Sequence, residues 1–206
     1  MKRITLAACV AFSFVLASCG GGEATNSDTT APAADSGAQA AQPTAPQQQT
    51  QPAGAWRNFS SNEFEVQYPG DWTLNANSQY NAAFELYAPS TANDGFAENI
   101  NLIRQSLQGQ SLPLQDYASL SLGQIEKAVA NSNVLASGIY NNAGTDYFEI
   151  VYTGGLGNMQ LKWKQHFFVQ DTTAWVLTYS AQQNSFDQFN TQATAIMGSF
   201  RLKGGQ

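Results

Sequence analysis

Between Gly20 and Ala55 the chain carries no aromatic residue, no Leu, Ile or Val, and no positive charge. Gly, Ala, Ser, Thr, Pro, Gln and Asn make up nearly all of it. Such a segment cannot bury enough apolar surface to offset the entropy of ordering its backbone. A core must therefore come from elsewhere. From Trp56 onward the chain holds all four Trp, all eight Tyr and most of the Phe. The predicted organisation is a leader over 1–18, Cys19 with a disordered linker over 19–55, and one domain over 56–206. The last is a length that suits a single core. As a flexible coil the linker would span about 30–35 Å.

The leader has its own pattern. Lys2 and Arg3 give a positive start, and Ile4 to Leu16 form an apolar run broken only by Thr5 and Ser13. That is the length of a signal-peptide core and is too short to cross a bilayer comfortably. Leu16-Ala17-Ser18-Cys19, followed by three glycines, matches a bacterial lipobox. It predicts cleavage before Cys19 and lipidation (palmitate-type acylation included) of that residue. The alternative is an ordinary cleaved signal peptide with a chance cysteine. Cys9 would leave with the leader, so the mature chain would contain no disulfide. Gly20 stands where an inner-membrane retention signal would place Asp, which favours the outer membrane in a Gram-negative host. The expected location is the bacterial cell envelope, with the domain facing the periplasm or the exterior.

The whole chain has a formal net charge of −6. Its folded part is also acidic, which disfavours nucleic acid and anionic lipid as binding surfaces.

Phe64, Val66 and Tyr68 alternate along a strand that stops at the turn pair Pro69-Gly70. Further strands are expected at Trp72 to Leu74, Ala83 to Ala88 and Asn99 to Ser106. Leu114, Ala118, Leu122, Ile125 and Val129 recur at helical spacing after Pro113, which favours a first helical position. Strands follow at Val134 to Tyr140, Tyr147 to Thr153, Met159 to Gln170 and Thr173 to Ala181. Gly154-Gly155-Leu156-Gly157-Asn158 is expected as a loop. Ala174 to Ala181 is apolar on both faces, as a strand covered on both sides would be. Ser185 and Gln188 have capping-box spacing ahead of a second helix that buries Phe186, Phe189, Ala193, Ile196 and Met197. The expected fold is α+β. A central antiparallel sheet of about five or six strands lies in an α/β/α sandwich, with an N-terminal β-hairpin beside it.

The search for chemistry is mostly negative. His166 is the only histidine. It shares a strand face with Lys162 and Lys164, while Leu161, Trp163, Phe167 and Val169 share the other. Two lysines disfavour a divalent metal, so no metal site is expected. The three form either an ordinary polar face or a small anion or partner patch. Glu63 with Glu65, and Asp94 with Glu98, are ordinary solvated carboxylates or, less simply, a weak cation site. No serine has a nucleophile-elbow context. Gly154 to Gly157 lacks the Lys-Ser/Thr and helix of a phosphate loop. Trp72, Trp163, Trp175, Phe148, Phe167, Phe168 and Tyr179 are expected in the core.

The order of elements, with certain strings, resembles the PsbP-like superfamily. It includes PsbP proteins of photosynthetic membranes, a eukaryotic nuclear-import factor and bacterial DcrB-type lipoproteins. The strings are Phe64-Glu65-Val66-Gln67-Tyr68-Pro69-Gly70-Asp71-Trp72, Asn99-Ile100-Asn101-Leu102, Leu161 to Val169, Val176-Leu177-Thr178-Tyr179 and Ser199-Phe200. The resemblance implies an α/β/α sandwich and a role as an accessory or binding protein. It supplies no catalytic motif and no cofactor. The expected function is therefore a non-enzymatic, lipid-anchored envelope protein that binds a protein partner. The alternative is a small-molecule or metal-ion-binding lipoprotein, photosystem-associated in a photosynthetic host. A hydrolase would need a serine and an acid beside His166.

Overall fold

The structure is a computed structural model that describes residues 54–78, 81–89 and 95–204. Cys19, the leader, nearly all of the linker and Asp94 lie outside the described residues.

Strands β1 (Trp56–Ser60) and β2 (Phe64–Pro69) form a hairpin, followed by the short β3 (Thr73–Asn75), β4 (Ala82–Tyr87) and β5 (Asn99–Ser106). Helix α1 (Leu114–Ala128) leads into four long elements: β6 (Ala130–Asn142), β7 (Thr145–Leu156), β8 (Met159–Gln170) and β9 (Thr173–Gln182). Helix α2 (Phe186–Ser199) and β10 (Arg201–Leu202) close the domain. The main sheet has seven strands in the order β3-β4-β5-β9-β8-β7-β6, and β1-β2-β10 form a separate small sheet. Every pairing is antiparallel.

The expected α+β sandwich is present, with more strands than the sequence predicts. Two layers cover opposite faces of the main sheet. Phe84, Leu86, Ile100, Leu102, Trp175, Leu177 and Tyr179 pack with α2 and the small sheet. Phe148, Ile150, Tyr152, Leu161, Trp163 and Phe167 pack with Tyr117, Ala118 and Ile125 of α1 and with Val129 at its C-cap. The seven aromatics expected in the core are all buried. The doubly apolar β9 lies fourth of seven, where both faces are covered.

Three local expectations are corrected. Gly154 and Gly155 belong to β7, and the turn is only Gly157-Asn158. A Cβ on Gly154 would stand 2.2 Å from Val129 Cγ1 and 3.1 Å from the Ala130 carbonyl oxygen. Close packing against the end of α1, not turning, therefore requires this glycine. The Ser185 capping box does not form, because Ser185 is already near-helical at φ −100°, ψ −11° and makes no side-chain cap. Pro113 is the N-cap rather than the first helical residue, at φ −56°, ψ 143°.

Candidate functional site

Strand alternation places Lys162, Lys164 and His166 on one face of β8, as expected. That face looks towards α2 rather than water, which changes what the three can do. Lys164 is 9% exposed, and its Nζ donates to Asn190 Oδ1 at 2.9 Å and Thr194 Oγ1 at 2.7 Å on α2. His166 is 5% exposed, and its Nε2 lies 2.8 Å from Glu149 Oε2 across the β7–β8 ladder. Lys162 lies over the Phe186 ring at 4.2 Å, with Asp187 3.6 Å away. Helix packing has given the polar atoms of Lys164 and His166 internal partners, while Lys162 remains partly exposed.

The cluster has a defined electrostatic order. Burial lowers the His166 pKa, overriding the opposing influence of Glu149. The hydrogen bond from His166 holds the Glu149 carboxyl below its usual range, against desolvation. An ionised carboxylate only accepts, so a neutral His166 carries its proton on Nε2 and donates it. Burial also lowers the Lys164 pKa and raises that of Tyr147. The Tyr147 ring packs over the His166 ring at 4.3 Å, and Tyr140 stacks on Tyr147 at 5.8 Å. Tyr140 is exposed, so an aromatic row leads from the surface of β6 to the buried dyad.

The dyad makes the stability of the domain acid-sensitive. Both folded pKa values are depressed, so the unfolded chain binds these protons more readily. Their contribution is full above the unfolded values and is lost as pH falls through the folded ones. For His166 the loss begins near pH 6.5, its ordinary value, and for Glu149 near 4.5. The melting temperature is expected to fall between pH 6.5 and 5. His166→Gln should flatten that part of the profile, since no other histidine exists. An unchanged slope in the variant would remove the dyad from the account.

The other sequence candidates are engaged locally. Glu63 pairs with Arg104 at 3.1 Å, and Glu65 lies 3.9 Å from Lys203. Glu98 is buried rather than solvated. A depression of about 620 Å³ lies at the end of the β7–β8 hairpin, lined by Asn158, Met159, Gln160, Gln182, Gln183 and Asn184. Its lining contains no ionisable side chain.

Sequence reading missed the free edge of the main sheet. Strand β6 has thirteen residues and none is charged. Among the described residues it pairs only with β7 and leaves Val134, Leu135, Ile139 and Tyr140 between 40% and 52% exposed. Edge strands are ordinarily blunted by charge, proline or bulges. Here register shifts interrupt Ala130 to Ala136, while Ala136 to Asn142 pairs regularly. The signal was present in the sequence as a long uncharged stretch containing Val134, Leu135, Ile139 and Tyr140, but only topology shows that it is an edge.

The fold is similar to that of several solved structures. A Pseudomonas aeruginosa protein of unknown function superposes with a TM-score of 0.54 at 15% identity, covering 74% of this chain and all of that one. LpqN of Mycobacterium tuberculosis, described as involved in cell envelope biogenesis, gives 0.56 at 12% identity, over 76% and 88% of the two chains. The cyanobacterial PsbP protein CyanoP of Synechocystis gives 0.51 at 11% identity, over 75% and 95%. The domain has the PsbP-like fold. No family model matches the sequence, and no curated protein matches it either.

Proposed function

We propose that this is a lipid-anchored accessory protein of the bacterial envelope, non-enzymatic, whose PsbP-like domain binds a protein partner by strand addition to β6. The uncharged, apolar edge of β6 carries this reading. An extended segment laid beside Ala136 to Asn142 would satisfy the outward-facing backbone groups. Leu135, Ile139 and Tyr140 would supply side-chain contacts. The lipobox at Cys19 supports the membrane assignment, and the fold likeness to LpqN is in keeping with an envelope role. The internal pairing of His166, Glu149 and Lys164 supports a binding protein over an enzyme.

Photo-crosslinkers at Ile139 and Tyr140 are expected to join one partner in intact membranes, through an extended segment of that partner. Leu135→Lys with Ile139→Lys should abolish the crosslink, because two lysines would disfavour pairing at the edge. The folded domain should keep its melting temperature to within a few degrees, since both residues are exposed. Equal crosslinking in the double variant, or from a control site on α2, would refute the assignment.

A further inference from the structure

The most unusual interior feature lies on the α1 side of the sheet. Cross-strand register lines up Asn75, Glu85, Asn101, Thr178 and Gln165 in one row across β3, β4, β5, β9 and β8. Glu85 is 1% exposed and Asn101 2%. Apolar residues would ordinarily fill such positions.

The row is only half satisfied. Asn75 Nδ2 donates to Glu85 Oε2 at 2.9 Å, and Gln165 Nε2 to Thr178 Oγ1 at 3.1 Å. Asn101 Nδ2 reaches Asn99 Oδ1 at 3.4 Å. Glu85 Oε1 and Asn101 Oδ1 have no hydrogen-bond partner, nor do Tyr152 Oη on β7 and Gln124 Oε1 on α1. All four are oxygens able to accept; Glu85, Asn101 and Tyr152 belong to the sheet face on the α1 side, Tyr152 under the helix and the other two on strands further along the sheet, and Gln124 to α1 itself. The ion pairs of Glu63, Asp187, Glu149 and Glu65 do not involve Glu85. A buried carboxylate without a counter-charge is costly, and so is an orphaned amide beside it.

Glu85 and Asn101 are direct neighbours on adjacent strands, so their Cβ atoms stand about 4.5–5.5 Å apart. One donor-rich group can reach both. We propose that this row is an internal binding site for a ligand whose head is a protonated amine or guanidinium, held between Glu85 Oε1 and Asn101 Oδ1. The Thr178 hydroxyl, next in the row, offers a third acceptor. The adjoining row begins with Tyr87, two residues from Glu85 on β4, an aromatic residue of the kind that favours a neighbouring cation. Carboxylate, amide oxygen and hydroxyl together select donors and positive charge. The site lies on a different part of the sheet from the β6 edge, and its test is independent of that reading.

The test uses the mature chain, dialysed and then incubated with n-butylammonium or methylguanidinium chloride. Parallel samples receive 1-butanol, calcium chloride or sodium chloride. At about a hundredfold excess over Kd, the melting midpoint is expected to rise by about 5–10 °C with either cation. Native mass spectrometry should show one bound probe. Glu85→Gln should abolish the rise, Asn101→Ala should weaken binding, and Asn101→Asp should tighten it about tenfold. A rise with butanol or calcium alone, a full rise in Glu85→Gln, or no rise with either cation would overturn the proposal. So would a crystal structure of the probe-saturated protein with only water between Glu85 and Asn101.

Discussion

Trp163→Ala is expected to destabilise the domain by about 3–5 kcal/mol, the cost of emptying a large aromatic site in a packed core. Trp163 is 1% exposed on the α1 face of β8 and stacks on Tyr152 with ring centroids 4.9 Å apart. Its surroundings include Ile125 of α1 and Val129 at the helix C-cap, so its loss opens the contact between helix and sheet. Small domains have only about 5–15 kcal/mol of stability, which makes this a large fraction. The urea midpoint should drop sharply at constant m-value, and the melting temperature should fall by about 6–20 °C. Far-UV circular dichroism is the suitable probe, because removing a tryptophan alters the fluorescence itself. Trp163→Phe should recover much of the loss by keeping an aromatic ring against Tyr152. A loss below about 1 kcal/mol in Trp163→Ala would mean that α1 is not packed on β8 as described.

Residues such as Trp163 were legible in the sequence because burial and periodicity coincide there. The alternation of Leu161, Trp163, Phe167 and Val169 needs only a strand and one apolar layer. The central place of β9 follows from the same logic, since apolar residues on both faces require cover on both faces. Strand β6 fails this test. Asn133, Asn141 and Asn142 are weak strand formers, and pairing with β7 holds them extended. Tertiary context therefore sets the length of the strand.

The polar clusters were illegible for a different reason. Alternation places Lys162, Lys164 and His166 together, but a polar face is normally assigned to water. Burial of that face depends on Asn190 and Thr194 arriving from α2, some 26 to 30 residues along the chain. The row through Glu85 and Asn101 depends on the register of five strands. No local pattern contains that information. Polar residues in these interiors weaken the fold unless they are partnered, which is why they are the places to look for function.

Cys19→Ala is expected to move the protein wholly from the membrane fraction to the soluble fraction. The effect should be nearly all-or-none. One acyl chain gives only marginal, reversible membrane binding, at about 0.8 kcal/mol per buried methylene, whereas two or three chains anchor firmly. On the proposed lipidation of Cys19, removing that residue removes every chain at once. No helix of the described residues is long and apolar enough to take over the anchoring. The acidic domain also lacks the positive charge that would hold it to anionic lipid. Fractionation with a carbonate wash measures the shift, and mass spectrometry of the wild-type N-terminus should find acyl mass on Cys19. Full retention of Cys19→Ala in the washed pellet, or an unmodified Cys19 in the wild type, would defeat the anchor. The β6 double-lysine variant provides the complementary separation. It should stay on the membrane and lose its partner, while Cys19→Ala should leave the membrane yet still bind that partner in solution. Partner loss in both variants would show that attachment to the bilayer, rather than the free edge of the sheet, creates the interaction.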